Sequence, residues 1–246
     1  MRTTLRQIRA IVAPPLTGPH GPLPPLLLVL TLVTGLVDAF SYLALGRVFV
    51  ANMTGNVVFL AFSLAGAKGF SILASVLALV AFVAGAVIGG RLYGLVSEHR
   101  ARLLLVATVA QLVLVLVSLA LAEVFDLPAT GGQRAVLVVL LGLAMGSQNA
   151  VVRRLAVPDL TTTVLTMTLT GIAADSRLAG GADSKAGRRL LSALAMFLGA
   201  LAGAALIVHG HPTVPLPIVA VLLVVVAVGL LPHRHSTLPW AAPKTT

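Results

Sequence analysis

Asn52, Thr54, Gly55 and Asn56 sit together inside VFVANMTGNVVFLAFSLAG (48–66), a stretch otherwise greasy enough for a membrane helix. Amides and a hydroxyl can hydrogen-bond a polar solute, or freed backbone groups, where lipid offers nothing, and a residue without a side chain allows close approach. Asp38 precedes them inside a long apolar run. A carboxylate at the centre of a bilayer costs about 2.5–3.5 kcal/mol on insertion scales, which makes it a functional candidate by default. It can hold a proton, pair with a cation such as Arg47, or bond broken backbone in the segment that follows. A second polar set comes later: Gln148 and Asn149 deep in an apolar segment, then Thr163, Thr166 and Thr168 within VPDLTTTVLTMTLTG (157–171). These residues form a candidate solute-binding set: Asn52, Thr54, Gly55, Asn56, Thr163, Thr166 and Thr168, with Gln148 and Asn149 facing the same cavity. Asp38 is the candidate coupling or gating carboxylate. The competing reading is packing, because polar side chains also hold membrane helices together.

Other chemistries find little footing. The chain has no cysteine, so disulfides, thiolate metal sites and thiol nucleophiles are excluded. The pairs His209/His211 and His233/His235 lack a third ligand nearby, and no metal site is expected. Ser147 in GSQNA lacks the Gly-x-Ser-x-Gly form, and no intramembrane histidine stands ready as its base. Neither a Walker A motif nor a dinucleotide glycine fingerprint is present, so ATP-driven transport by this chain alone and nucleotide cofactors are not expected. The expectation is a protein that is not an enzyme and carries no cofactor. Gln111 reads as an interhelical hydrogen bond, Arg153 and Arg154 as a membrane boundary, and Asp175 as the end of a short helix.

The elements that must position these residues follow from composition. Of 246 residues, 58% are hydrophobic and only 10% charged, whereas soluble domains average about 25% charged. Continuous apolar segments recur at roughly 25–46, 48–66, 70–95, 103–123, 135–157, 160–174, 190–209 and 214–232. Runs of about 20 such residues are long enough to cross the hydrocarbon core, and their continuity excludes an outer-membrane barrel. Residues 1–24 read as a cytoplasmic N-terminal tail without the apolar core of a signal peptide. Residues 25–232 form a single membrane domain, and 233–246 a short polar cytoplasmic tail without a fold of its own. The net charge of +10 is scattered between apolar segments, which suits orientation in the bilayer and disfavours a nucleic-acid partner.

Two segments look too short to cross. If VFVANM is extended, the helix from Thr54 to Gly66 spans only about 20 Å of a core about 30 Å thick. Pro158 biases Val157 away from helix, so the segment ending near Asp175 is short as well. Letting both stop partway leaves only Arg47, Lys68 and Arg134 on the outer side among the 17 lysines and arginines. Eight full crossings divide the cations more evenly, so the positive-inside rule favours six. Paired broken segments are the best sequence pointer to a transporter's binding site, and the N–H groups at a half-helix start suit an anionic or polar solute.

The chain also echoes itself. TGLVDAFSYLALG followed by ANMTGNVVFLAF is answered about 111 residues later by AMGSQNAVVRRLA followed by TTVLTMTLTGIA. Asp38 then faces Asn149, Thr54 faces Thr166 and Asn56 faces Thr168. FVAGAVIGG from Phe82 is echoed by FLGALAGAA from Phe197, and Gly85, Gly89, Gly199 and Gly203 form small-xxx-small pairs suited to close packing. The fold expected is an all-α polytopic membrane protein of two three-crossing inverted repeats (25–123 and 135–232), each with one half-length helix.

TGLVDAFSYLALGRVFVANMTGNVVFLAF and AMGSQNAVVRRLAVPDLTTTVLTMTLT resemble the two signature regions of the YoaK-like family of small bacterial integral membrane proteins, over about residues 24–232. The resemblance implies a multi-pass protein of the bacterial cytoplasmic membrane, and a domain of unknown function with no implied substrate. Where that family's second motif usually has Thr-Gly, this chain has Thr166-Met167. The broken segments more distantly resemble the sulfate-permease and nucleobase-transporter architecture, in which a half-helix points at substrate. The functional expectation is a secondary transporter or exporter of a small polar or anionic solute; the alternative is a membrane scaffold or partner subunit. The lipid bilayer is the expected partner, and homo-oligomers remain open.

Overall fold

The computed structural model describes residues 11–96, 99–158, 160, 165–174 and 186–241. Its helices are α1 (Leu23–Ala44), α2 (Met53–Leu64), α3 (Ile72–Leu95), α4 (Arg100–Val124), α5 (Gly131–Leu155), α6 (Leu165–Ala174), α7 (Ala186–Val208) and α8 (Pro215–Leu230), the last continued by a 3-10 turn, Leu231–His233. Six of these are long and apolar enough to span a bilayer. α2 has 12 residues, about 18 Å at 1.5 Å per residue and too short for a core of about 30 Å, and α6 has 10 described residues. The protein is an all-α polytopic membrane protein.

Local chemistry sets the helix ends. Prolines open α1 and α8, where a missing N–H costs nothing. Ser71 caps α3 by accepting the Ala74 N–H at 3.2 Å, and the His99 ring caps α4 through Nδ1 to the Arg102 N–H at 3.2 Å. α5 ends on Ala156 in the left-handed region (φ 49°), with Arg153 and Arg154 in its last turn against the negative end of the helix dipole.

The long helices pack in a fixed pattern. α3 lies along α5, and α1 lies along α7; α4 touches α5 and α8, and α8 also touches α1. Of the short helices, α2 rests on α3 and α6 on α7. α1 and α5 are the most enclosed spans, and α7 faces outward most. Lipid is as apolar as leucine, so close packing must come from small residues. At Gly146 an added Cβ would lie 2.0 Å from the Phe82 carbonyl oxygen, and at Gly199 2.1 Å from that of Leu32. Gly85 and Gly89 meet Leu143 and Ser147 in the same way, and Gly203 meets Leu36 and Ala39. The glycine pairs thus bring backbones together, as their spacing predicts.

The two ends of the bundle are distinct. At one, the Ala129 N–H donates to the Ala44 carbonyl at 2.9 Å, the Arg134 guanidinium packs against Gly46, and that of Arg47 against Gly69. At the other, Trp240 lies over Gly21 and only 1% of it is exposed.

Candidate functional site

The segment between α1 and α2 is not helical, and its backbone groups need partners at membrane depth. Two side chains supply them. Asn56, fully buried in the first turns of α2, accepts the Phe49 N–H through Oδ1 at 2.9 Å and donates Nδ2 to the Phe49 carbonyl at 2.6 Å. One amide therefore serves residue 49 as a neighbouring strand would. Asp38 reaches across from α1: Oδ1 accepts the N–H groups of Val50 at 3.1 Å and Ala51 at 2.9 Å, and Oδ2 accepts Asn52 Nδ2. Of the three roles open to a carboxylate here, the structure shows the third. Arg47 does not pair with it; its guanidinium lies 5.9 Å from the Phe70 ring centroid. Hydrogen bonds to a charged group contribute about 1.5–3 kcal/mol each, so three of them offset much of the cost of burying Asp38.

Gly55 makes room for an aromatic ring: a Cβ there would fall 2.7 Å from the Phe49 ring. Phe49 stacks on Tyr42 and Phe59 at 5.0 and 5.7 Å, and Phe59 on Phe70 at 5.1 Å. This aromatic wall fixes α2 to its neighbours. Asn52 stands at the N-cap of α2 without a side-chain bond to the helix, and its Nδ2 donates to Asp38 instead. Thr54 is exposed.

Gln148 sits where α5 crosses α1. It accepts Gln111 Nε2 at 2.8 Å and donates to Thr34 Oγ1 at 3.0 Å, while Thr34 donates to the Leu30 carbonyl at 2.9 Å. Gln111 makes the interhelical bond its position suggests. Asn149 donates to the Met145 carbonyl one turn earlier, at 2.8 Å. Thr166 is exposed on α6. Thr163, the Thr168 side chain and Asp175 lie outside the described residues. Asp38, Asn52 and Asn56 are thus brought together, and Gln148 joins a separate polar chain. α2 and α6 do not pack along one another.

The model of a family described as a protein of unknown function, DUF1275, matches residues 26–229. The chain belongs to the DUF1275 family. A relative, the UPF0700 transmembrane protein YoaK of Bacillus subtilis (strain 168), is 31% identical over 153 residues, which cover 61% of this chain and 65% of that protein. The chain thus aligns with just under two thirds of the relative's length. No solved structure matches. With six apolar spans and a transmembrane relative, this DUF1275 member is a multi-pass membrane protein.

Sequence reasoning missed a second polar centre in this DUF1275 chain. Arg100, 5% exposed at the start of α4, donates Nη1 to the Trp240 carbonyl at 2.9 Å and Nη2 to the Leu155 carbonyl, and its own N–H reaches the Ala241 carbonyl at 3.1 Å. His99 Nε2 meets the Ser236 carbonyl at 2.9 Å. Residues 234–241 of the C-terminal tail form a strap docked on the start of α4 and on the N-terminal segment. A signal existed: a cation in a helix's first turn opposes the dipole and calls for acceptors from elsewhere.

Proposed function

We propose that this protein is a secondary transporter or exporter of a small polar or anionic solute in the bacterial cytoplasmic membrane. Its site lies at the N-terminal ends of the half-length helices α2 and α6. The observation carrying this reading is the Asp38 latch. A carboxylate occupies the place that an oxyanion would take before the start of α2, where backbone N–H groups and the helix dipole favour negative charge. A solute oxyanion competes for the same N–H groups of Val50 and Ala51. Protonation or a swing of Asp38 frees them, which couples binding to opening. Its counterpart Asn149 cannot titrate, so any proton coupling is one-sided.

The reading includes an internal duplication with inverted halves, α1–α4 and α5–α8. The packing pattern supports it: exchanging α1 with α5, α2 with α6, α3 with α7 and α4 with α8 leaves the list of touching helices unchanged. Residue contacts follow the same exchange. Gly146 meets Phe82 and Ala86 as Gly35 meets Met196 and Ala200, and Gly85 meets Leu143 as Gly199 meets Leu32. This register sets Phe82 against Met196, one residue from the Phe82–Phe197 match suggested by sequence. It retains the Asp38–Asn149 correspondence.

A scaffold or partner subunit is the second reading. It is favoured by the closure of the polar groups on one another: Asp38 accepts three donors, and the Gln111–Gln148–Thr34 chain ends on a backbone carbonyl. The deciding experiment is a solute panel on reconstituted vesicles, comparing wild type with Asp38→Asn under a proton gradient. Transport predicts gradient-dependent movement of at least one small polar or anionic solute, altered by Asp38→Asn. No movement of any solute by either protein overturns the reading.

A further inference from the structure

At the end of the bundle that holds Gly46, a cavity of about 220 Å³ opens between the starts of α3 and α5, lined by Ser71, Leu73, Ala74, Leu77, Gly131, Arg134 and Ala135. Its volume is many times the roughly 10–15 Å³ needed for one water. Arg134 is the only charged residue in the lining. Its Nε donates to the Ala129 carbonyl at 3.2 Å, and its two Nη groups find no acceptor among the described residues. The guanidinium is held in place by the close approach of Gly46, where a Cβ would lie 2.9 Å from Cζ.

The local electrostatics ask for an anion. Arg134 stands in the first turn of α5, where the dipole is positive, and Thr130 offers that helix no side-chain cap. Arg47 and Lys68 lie at the same end. Glu123 ends α4 and Asp126 lies in the connection to α5, and neither forms an ion pair among the described residues. Beneath the cavity, α3 presents Leu73, Val76, Val80, Val83 and Val87 on one exposed apolar face, at the spacing of a single helix stripe. Such a stripe faces acyl chains.

We propose that this cavity binds a phosphate oxyanion carried by an anionic phospholipid, with the acyl chains along the exposed face of α3 and the headgroup on Arg134. A guanidinium with free Nη groups suits two-point recognition of phosphate, which a lone positive charge does not provide. The site is separate from Asp38 and does not depend on the transport reading.

The test uses the full chain in neutral detergent, with native mass spectrometry and thermal stability as readouts. Phosphatidylglycerol should bind and stabilise wild type, and phosphatidylcholine should not. Arg134→Gln should weaken phosphatidylglycerol binding roughly ten- to a hundred-fold. Ala135→Phe, which fills the cavity and keeps the guanidinium, should do the same if Arg134→Gln does not fold. Arg91→Gln, an exposed arginine near the other end of α3, should leave binding unchanged. Equal affinity of wild type and both cavity variants for phosphatidylglycerol overturns the proposal, as does equal binding of phosphatidylcholine. Stabilisation by inorganic phosphate as large as that by phosphatidylglycerol, and lost in Arg134→Gln, keeps the oxyanion site but overturns the lipid as its source.

Discussion

Replacing Asp38 by alanine removes one acceptor group and strands three donors: the N–H groups of Val50 and Ala51 and the amide of Asn52. Val50 and Ala51 are buried, and each orphaned donor costs about 1–3 kcal/mol. Asn52 is only partly buried and can recruit water. Relief of the buried charge offsets part of the loss. A net destabilisation of about 1–4 kcal/mol follows, or roughly 2–16 °C at the 2–4 °C per kcal/mol typical of chains this long. Asp38→Asn is the informative contrast. It keeps an oxygen for Val50 and Ala51, and Asn52 can turn its own oxygen toward the new amide, so the cost falls to about 1 kcal/mol. The double variant D38N/N52D restores a charged acceptor across the same contact. Thermal unfolding in mild detergent gives the ranking. Thiol labelling of Val50→Cys in each background shows whether the segment has come loose. Wild-type stability in Asp38→Ala, with the thiol at position 50 still protected, would refute the latch.

The remaining predictions test packing and the strap. Gly146→Ala and Gly199→Ala force neighbouring backbones apart and should each lower stability by more than about 2 kcal/mol in the same unfolding assay. Gly90→Ala and Gly94→Ala, where nothing lies within 4 Å, should be neutral or stabilising by up to about 1 kcal/mol. Arg100→Met should release the C-terminal strap. Trp240 is the chain's single tryptophan, so its emission should shift to the red and become open to aqueous quenchers. Gly21→Ala should have the same effect, because a Cβ there would sit 2.5 Å from the indole ring on a backbone at φ +47°.

Much of the fold was legible in the residues because the bilayer leaves few choices. Long apolar runs have to be helices, and prolines, glycines and charges mark where they end. The break between α1 and α2 was legible because the β-branched and aromatic VFV is followed at once by the polar cluster of Asn52, Thr54 and Asn56, just where a helix would continue. The partners of the polar residues were not. Asp38 could bond Arg47 or the backbone equally well on paper, and only the fold of residues 48–52 decides between them. Gly55 reads as room for a solute, yet the Phe49 ring fills it. Gln148 and Asn149 are adjacent in sequence but turn to different tasks, one across to Thr34 and the other back onto its own helix. Arg100 and Trp240 are distant in the chain, and no periodic pattern brings them together.

The transport reading requires the two half-helix starts to be wet, each reached from a different face of the membrane. Thr54 and Thr166 are exposed near those starts, and the chain has no cysteine of its own to interfere. The direct test is labelling of Thr54→Cys and Thr166→Cys with a charged, membrane-impermeant thiol reagent in intact cells and in inverted vesicles. The account predicts reaction at position 54 from outside and at position 166 from within. Silence of both positions toward the charged reagent, with both reacting readily with a lipid-soluble maleimide, would contradict it.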